Sequence, residues 1–289
     1  MKTYVKMPLA QSRLEKIKIL AFDLDGTLLD DRGKLSDGNR AALMRAMEKG
    51  YHVVIATGRV FAALAKDVIS SPGIRYAVTS NGARITDLEK GEAIYENLLT
   101  EENVRSVLPW MQDEDIMLEI FFDNKVVAPK DKLAHVEDFG VVSEKSRNYT
   151  LSTREPVDDI MKLVEDNIDR LENINILFGD QEKRIRFLKE VQQVEGVTAV
   201  SSLPHNIEIG GATTSKARAL DELAGILGYA SENIMSFGDS TNDTEMVRHA
   251  GIGVAMGNAV EELLDTADYI TLTNDDDGVA FALENLLNI

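Results

Sequence analysis

The stretch that decides the fold runs Ile17-Lys18-Ile19-Leu20-Ala21-Phe22-Asp23-Leu24-Asp25-Gly26-Thr27. Its apolar run reads as a buried strand. Two carboxylates follow, two residues apart, and a buried carboxylate is costly unless it is paired or binds a metal. Gly26 lets the backbone turn sharply where the strand ends. In open α/β sheets ligands collect in the crevice at the carboxyl ends of strands. Asp23 and Asp25 are therefore the first candidates for chemistry.

Outward from this stretch, strands and helices alternate. Ser36 to Lys49 reads as a helix with Ser36 or Asp37 at its N-cap and Gly50 past its end. His52 to Ala56 is a β-branched strand, Phe61 to Ile69 a helix stopped by Pro72-Gly73, and Tyr76 to Thr79 a strand leading into Ser80-Asn81-Gly82. The last third repeats the rhythm. Helices are expected over Ser215 to Leu227, Thr244 to His249, Ala259 to Leu264 and Gly278 to Leu287. Strands are expected over Asn233 to Phe237, Ile252 to Val254 and Tyr269 to Thr271. This alternation predicts an α/β fold, a Rossmann-like doubly wound parallel sheet covered on both faces.

The middle differs. Asp87 to Gly91 is a turn, and Asp123-Asn124 between Met117 to Phe122 and Lys125 to Ala128 is a hairpin signal. Helices over Val157 to Leu171 and Gln181 to Val191 follow, with a strand over Asn175 to Phe178 and a strand pair around Leu203-Pro204-His205. This pattern predicts an inserted α+β unit over residues 87–205, with an antiparallel sheet and helices on one face. The core is then 1–86 and 206–289, with 1–15 an extension, loosely ordered or a short helix.

The whole chain bounds the function. Its 289 residues suffice for one large domain or two ordinary ones. Against 31 Lys and Arg stand 49 Asp and Glu, a net charge of −18, which argues against nucleic-acid binding and docking to anionic lipid. With no cysteine, thiolate catalysis, disulfides and zinc–thiolate sites are excluded, and a cytoplasmic protein is expected. Residues 1–16 do not resemble a signal peptide, and no apolar run approaches the ~20 residues of a membrane span.

Four pieces are placed to converge, each at or near a strand end or helix start. Asp23 and Asp25 are the first. Thr57-Gly58-Arg59 offers a hydroxyl and a glycine at a helix start, suited to a phosphate oxygen. Lys216 supplies a compact positive charge. Gly238-Asp239-Ser240-Thr241-Asn242-Asp243 adds two carboxylates, giving oxygen ligands for Mg²⁺. The set fits phosphoryl transfer. Asp23 attacks phosphorus to form an acyl phosphate. Asp25 protonates the leaving oxygen and then takes a proton from the hydrolytic water. Mg²⁺ and Lys216 offset the repulsion between carboxylate and phosphate.

Asp-Leu-Asp-Gly-Thr-Leu-Leu, Ala-Thr-Gly-Arg, Ser-Asn-Gly-Ala, Lys216 and Gly-Asp-Ser-Thr-Asn-Asp, in this order, resemble the motifs of the haloacid dehalogenase-like hydrolases. The stretch from Gly238 through Ala255-Met256-Gly257-Asn258-Ala259 to Asp277-Gly278-Val279-Ala280 is similar to the Cof-type phosphatases, and the likeness covers roughly residues 17–287. The resemblance implies that Asp23 is nucleophile and metal ligand. It makes Asp25 the acid/base, binding metal through its backbone carbonyl. Asp239 completes the metal site and Asp243 supports it. Thr57, Gly58, Lys216, Asn242 and the Leu24 amide hold the phosphate, and the insertion is a cap that selects substrate. One departure is Ala217, where the family commonly has a glycine after the lysine, and the approach from Gly210 to Ser215 is longer. Lys189, in an expected cap helix, is a rival for the lysine's role.

Other conspicuous residues have plainer readings. Arg59 reads as a helix-surface or salt-bridge residue. Asp275-Asp276-Asp277 reads as acidic capping at a helix start. His52, His135, His205 and His249 lack metal spacing, with His205 near a cap–core hinge. Trp110 and Phe121-Phe122 read as core, and Glu119 and Asp123 face either the site or water. The expected function is a Mg²⁺-dependent phosphatase of small phosphorylated metabolites, acting as monomer or weak dimer. A phosphomutase or phosphotransferase shares the same intermediate, and a non-catalytic phosphate-ligand-binding regulator is a third reading.

Overall fold

The structure is a computed structural model that describes residues 4–5, 9–64, 66–71 and 74–289. The expected stop at Pro72-Gly73 lies outside the described residues, as do 1–3 and 6–8 of the expected extension. The described strands are β1 (Tyr4–Val5), β2 (Ile19–Phe22), β3 (His52–Ala56), β4 (Ile74–Thr79), β5 (Arg84–Asp87), β6 (Glu92–Glu96), β7 (Ile116–Phe122), β8 (Lys125–Pro129), β9 (Arg154–Val157), β10 (Leu171–Phe178), β11 (Val197–Val200), β12 (Asn206–Gly211), β13 (Ile234–Gly238), β14 (Ile252–Ala255) and β15 (Tyr269–Ile270). The chain forms two compact units, each with its own sheet.

The first unit comprises Met1–Thr57, Leu64–Tyr95 and Ser215–Ile289. Its nine strands lie in the order β1-β15-β14-β13-β2-β3-β4-β5-β6. From β15 to β4 neighbours run parallel, while β1 pairs with β15, and β5 with β4, antiparallel. All four residues of β2 are buried, as a strand covered on both faces requires. After β2 the chain winds one way to β3 and β4, and its last third winds the other way through β13 and β14. The strand order therefore reverses at β2, the place where doubly wound sheets open a ligand crevice.

Local chemistry sets the helix ends. The Ser36 hydroxyl accepts the Asn39 N–H at 3.1 Å and starts the helix Asp37–Glu48, which buries Asn39, Ala42, Leu43 and Ala46 at helical spacing. The segment expected as an extension holds a short helix, Gln11–Leu14, tied down by Arg13, whose guanidinium donates to Asp268 at 2.9 Å and to the Gly251 carbonyl at 2.6 Å.

The second unit comprises Gly58–Ala63 and Glu96–Thr214. Its sheet runs β11-β12-β10-β7-β8-β9, antiparallel except between β8 and β9. Asp123 and Asn124 both take positive φ, the two-residue turn that the hairpin signal predicts. One sheet face packs Ile174, Ile176, Phe178, Ile207 and Ile209 with apolar residues of the helices Glu101–Met111, Ile160–Asp166 and Gln181–Val191. The other face carries a buried polar row. Arg154 grips Glu119 at 2.7 and 2.8 Å, Asn175 donates to Glu119 at 2.8 Å, and Asn206 donates to Asn175 at 3.1 Å and to Glu208 at 2.8 Å. Glu119 thus faces neither solvent nor an open cleft.

The unit boundaries differ from the expected 87–205. β5 hydrogen-bonds to β4 and β6 lies next to β5, so the chain stays in the first sheet through β6 and in the first unit to Tyr95. β12 pairs with β10 and β11, which keeps residues 206–211 in the second sheet. The expected helix over 61–69 is two short pieces, Phe61–Ala63 and Lys66–Ile69, and the first belongs to the second unit. There Val60 and Ala63 cluster with Phe121 and Val126. The expected helix over 157–171 contracts to Ile160–Asp166, because residues 154–157 pair with β8 and Leu171 opens β10.

Removing one partner of a buried ion pair strands the other charge, at about 3–5 kcal/mol. Glu119→Ala should therefore lower the unfolding free energy of the second unit, read from its urea transition, by about 3–5 kcal/mol, while the apolar pair Glu119→Met with Arg154→Leu should recover most of it. An E119A protein unfolding with the wild type would show the pair to be dispensable.

Candidate active site

Asp23 sits one residue past β2, and its N–H donates to the Phe237 carbonyl of β13 at 3.0 Å, so the parallel ladder continues to the carboxylate. Beyond it the chain turns at Gly26, whose φ is +80°. A Cβ built at Gly26 would lie 2.5 Å from Asp239 Oδ2, so only glycine lets the turn fold over that carboxylate. Thr27 closes the turn by donating its hydroxyl to Asp239 Oδ1 at 3.0 Å. The Asp25 side chain is exposed, and the Leu24 side chain is buried.

Asp239 follows β13, and Asp243 ends the 3-10 turn Thr241–Asp243. One Asp243 oxygen accepts the N–H groups of Asp239 and Ser240, each at 3.1 Å. The other accepts Lys216 Nζ at 2.7 Å, and the same ammonium reaches Asp23 Oδ1 at 2.7 Å. Lys216 stands at the start of the helix Lys216–Ile226, capped by the Ser215 hydroxyl, and is only 1% exposed.

The charges are unbalanced. Burial pushes the Asp23 carboxyl well above the usual carboxylate range; Lys216 opposes this, while Asp243 and Asp239 reinforce it. Burial, then the Asp243 charge, pushes Asp239 up to about 7, against a hydrogen bond from Thr27 and the charge of Lys216. Burial draws the Lys216 ammonium down, but Asp23 and Asp243 outweigh it and hold the pKa above that of an ordinary lysine. Carboxylate oxygens of Asp23, Asp239 and Asp243 lie within 4.8 Å of one another. Two buried carboxylates on one ammonium, with the half-buried Asp239 beside them, leave room for further positive charge, and an all-oxygen donor set suits a hard dication such as Mg²⁺. Asp243 is fully buried, with one oxygen on two backbone N–H groups and the other on Lys216, whereas Asp239 is half-buried and accepts only hydroxyls, so Asp23 and Asp239 are the better placed to face an ion.

Thr57 follows β3 at the same edge of the sheet. It is buried, its N–H donates to the Val78 carbonyl at 2.9 Å, and its carbonyl accepts the Asn81 N–H at 3.1 Å. Asn242 donates its amide to Asn81 Oδ1 at 3.0 Å. Asp23, Thr57, Lys216, Asp239, Asn242 and Asp243 therefore all belong to the first unit, and Gly58 opens the short segment assigned to the second. Sequence reading gave Thr27 and Asn81 no role of their own, although both lie in stretches it matched to the family's motifs, Asp-Leu-Asp-Gly-Thr-Leu-Leu and Ser-Asn-Gly-Ala.

Several other residues take structural places. Lys189 is exposed on the helix Gln181–Val191. Arg59 stacks over the Tyr149 ring, 4.6 Å from its centre, and donates to the Ala63 carbonyl. Trp110 packs against the second unit's core and donates to Glu190 at 3.0 Å. The capping reading of Asp275-Asp276-Asp277 needs correction. Asp277 precedes its helix but caps nothing with its side chain; it accepts the Ser36 hydroxyl at 2.5 Å, while Asp275 accepts the Asp31 N–H at 2.9 Å. These carboxylates fasten the last helix to the loop after β2.

A doubly wound sheet with a lysine-bridged aspartate cluster at its reversal point defines a class of phosphate-handling hydrolases. The chain belongs to the haloacid dehalogenase-like hydrolases, whose family model matches residues 20–283, and it is a phosphoric monoester hydrolase of that family. It is similar to the phosphatase YwpJ of Bacillus subtilis, at 33% identity over 94% of this chain and 100% of that protein. It is 32% identical to the 5-amino-6-(5-phospho-D-ribitylamino)uracil phosphatase YcsE of the same organism, over 93% of this chain and 95% of the relative. Among solved structures, a subclass IIB sugar phosphatase, BT4131, matches with a TM-score of 0.77 and 25% identity over 94% of this chain and 100% of that one. No helix among the described residues is long and apolar enough to cross a membrane.

Gly26→Ala should displace Asp239, since the new methyl cannot coexist with its carboxylate and the positive φ itself disfavours a side chain. The expected loss is about 1–3 kcal/mol of stability. In a calorimetric titration, Mg²⁺ should bind more than tenfold more weakly to G26A than to the wild type, a loss of about 1.4 kcal/mol. Equal affinity would show that Asp239 has kept its place.

Proposed function

We propose that this protein is a Mg²⁺-dependent phosphatase of small phosphorylated metabolites, sugar phosphates or phosphorylated cofactors, working through an aspartyl phosphate on Asp23. The observation that carries the reading is the single buried ammonium of Lys216 bonded at 2.7 Å to both Asp23 and Asp243, beside Asp239. An ordinary structural ion pair needs one carboxylate; two on one cation with a third beside them make a site that lacks positive charge and gains it with metal.

An Asp23 oxygen attacks phosphorus, and the bond between phosphorus and the ester oxygen breaks. The Asp25 carboxyl gives its proton to the leaving oxygen. The resulting Asp25 carboxylate then takes a proton from water as that oxygen attacks phosphorus, which releases inorganic phosphate and restores Asp23. The exposed Asp25 side chain can exchange protons with solvent, whereas buried Asp23 is held on Lys216 with its carboxylate fixed. Thr57, Gly58, Asn242, Lys216 and the Leu24 amide hold the phosphate oxygens. Asp23, Asp239 and the Asp25 carbonyl hold the metal, oriented by Asp243 and Thr27. Bound there, Mg²⁺ supplies charge neutralisation for the phosphate. The second unit is assigned the choice of leaving group. The sugar and ribityl phosphates named for two similar proteins support a polyhydroxylated one.

The Mg²⁺-loaded protein should release phosphate from p-nitrophenyl phosphate and from a panel of sugar and cofactor phosphates. Chelation should stop the reaction, and Asp23→Asn should lower kcat by a factor on the order of 10⁴ or more, as removal of a nucleophile does. A folded, metal-loaded chain that is inert across such a panel would refute the reading.

A further inference from the structure

The turn Ser80-Asn81-Gly82 after β4 is buried, and all three residues take positive φ: +49°, +54° and +104°. Two of the three are not glycine. Left-handed backbone at buried non-glycine residues persists only where the surroundings fix it, and it gathers at functional sites. Each residue's neighbours show what fixes this turn. The Asn81 N–H holds the Thr57 carbonyl at 3.1 Å, and its side-chain oxygen accepts the Asn242 amide at 3.0 Å. At Gly82 a Cβ would lie 2.2 Å from the Ser215 carbonyl oxygen, so the absent side chain lets the peptide before Lys216 pack against the turn. One three-residue turn therefore touches the neighbourhoods of Thr57, Asn242 and Lys216, which arrive from three separate parts of the chain.

We propose that Asn81 is a positioning residue of the phosphate site: its backbone fixes the end of β3 at Thr57, and its side chain fixes the orientation of the Asn242 carboxamide. The inference rests on the reading that Thr57, Asn242 and Lys216 hold phosphate. Asn242 sits on a short 3-10 turn, and a carboxamide there can swing unless something holds it. Asn81 does so by accepting one of its N–H groups, which turns the rest of the amide to a fixed direction. Asparagine suits the task because it adopts left-handed backbone at low cost and carries an acceptor.

Calorimetric titration of the Mg²⁺-loaded protein with inorganic phosphate tests this. Asn81→Gly keeps the left-handed backbone and deletes the side chain. It should weaken phosphate about tenfold, the scale of one lost hydrogen bond, and raise KM more than it lowers kcat. If Asn81 acts through Asn242, the double variant Asn81→Gly with Asn242→Ala should bind no more weakly than the worse single variant. Asn81→Ala should lose phosphate to the same degree and melt below Asn81→Gly, since only alanine adds backbone strain. Wild-type phosphate affinity in Asn81→Gly, or fully additive losses in the double variant, would overturn the positioning role alone. A wild-type protein that binds no phosphate and hydrolyses no ester would overturn the functional reading and this inference together.

Discussion

The structure depends on keeping one ammonium, Lys216 Nζ, buried between two carboxylates. Desolvating an ammonium and its partners costs several kcal/mol per ion unless geometry repays it. Here the repayment is two bonds of 2.7 Å, to Asp23 and Asp243. The position makes the constraint sharper. Lys216 opens a helix, and the positive end of a helix dipole disfavours a cation. A lysine placed there needs strong nearby negative charge, and the same helix start favours an anion once the carboxylates are neutralised. Lys216 is thus held by the anionic cluster for which it also provides the counter-charge.

Everything else in the first unit serves that geometry. β2 and β13 pair in parallel with Phe22 opposite Phe237, their rings stacked at 4.7 Å. This register sets Asp23 opposite Gly238 and puts Asp239 one residue further along the same edge. A slip of one residue would send one carboxylate to the opposite face of the sheet. Further along the chain, the 3-10 turn brings Asp243 back beneath the backbone of Asp239, where it accepts two N–H groups. Asp243 is therefore as much a fold residue as a site residue: one oxygen orders the loop and the other orders the lysine.

How much of this was legible in the sequence follows from which interactions are local. Ser36 and Ser215 cap the helices they were expected to start, because capping joins residues three apart. The Asp23 and Asp239 turns were legible because a strand that ends in acidic residues is a conflict that only chemistry resolves. The allegiance of β6 and β12 was not, since their own residues do not say which sheet they join; the hydrogen-bond partners do. The helix Glu144–Thr153 went unseen because it is polar on most sides and buries only Thr150. Asp277 was misjudged for a related reason: its spacing suggested a cap, while its partner, Ser36, lies more than two hundred residues away. Asn81 stood in a motif, Ser-Asn-Gly-Ala, that named no role for it, and the role proposed for it rests on Thr57 and Asn242 being brought to it.

The division into two units also sets where each group of the proposed site lies along the chain. The chain crosses between them at Thr57–Gly58, Ala63–Leu64, Tyr95–Glu96 and Thr214–Ser215. Asp23, Asp239 and Asp243 lie at least fifteen residues from any crossing, set in the middle of the sheet. Thr57 and Lys216 lie at or one residue beyond one. The carboxylates proposed to bind metal are therefore remote along the chain from the second unit, and Lys216, bonded to Asp23 and Asp243, joins them to a residue beside a crossing. Gly58–Ala63 is packed through Val60 and Ala63 against Phe121 and Val126, and Thr57 precedes that segment directly in the chain. On the first unit's side, Asn81 holds the Thr57 carbonyl. A residue that must stay in place while its neighbour's surroundings vary needs such a tether, and the buried, left-handed turn after β4 supplies it.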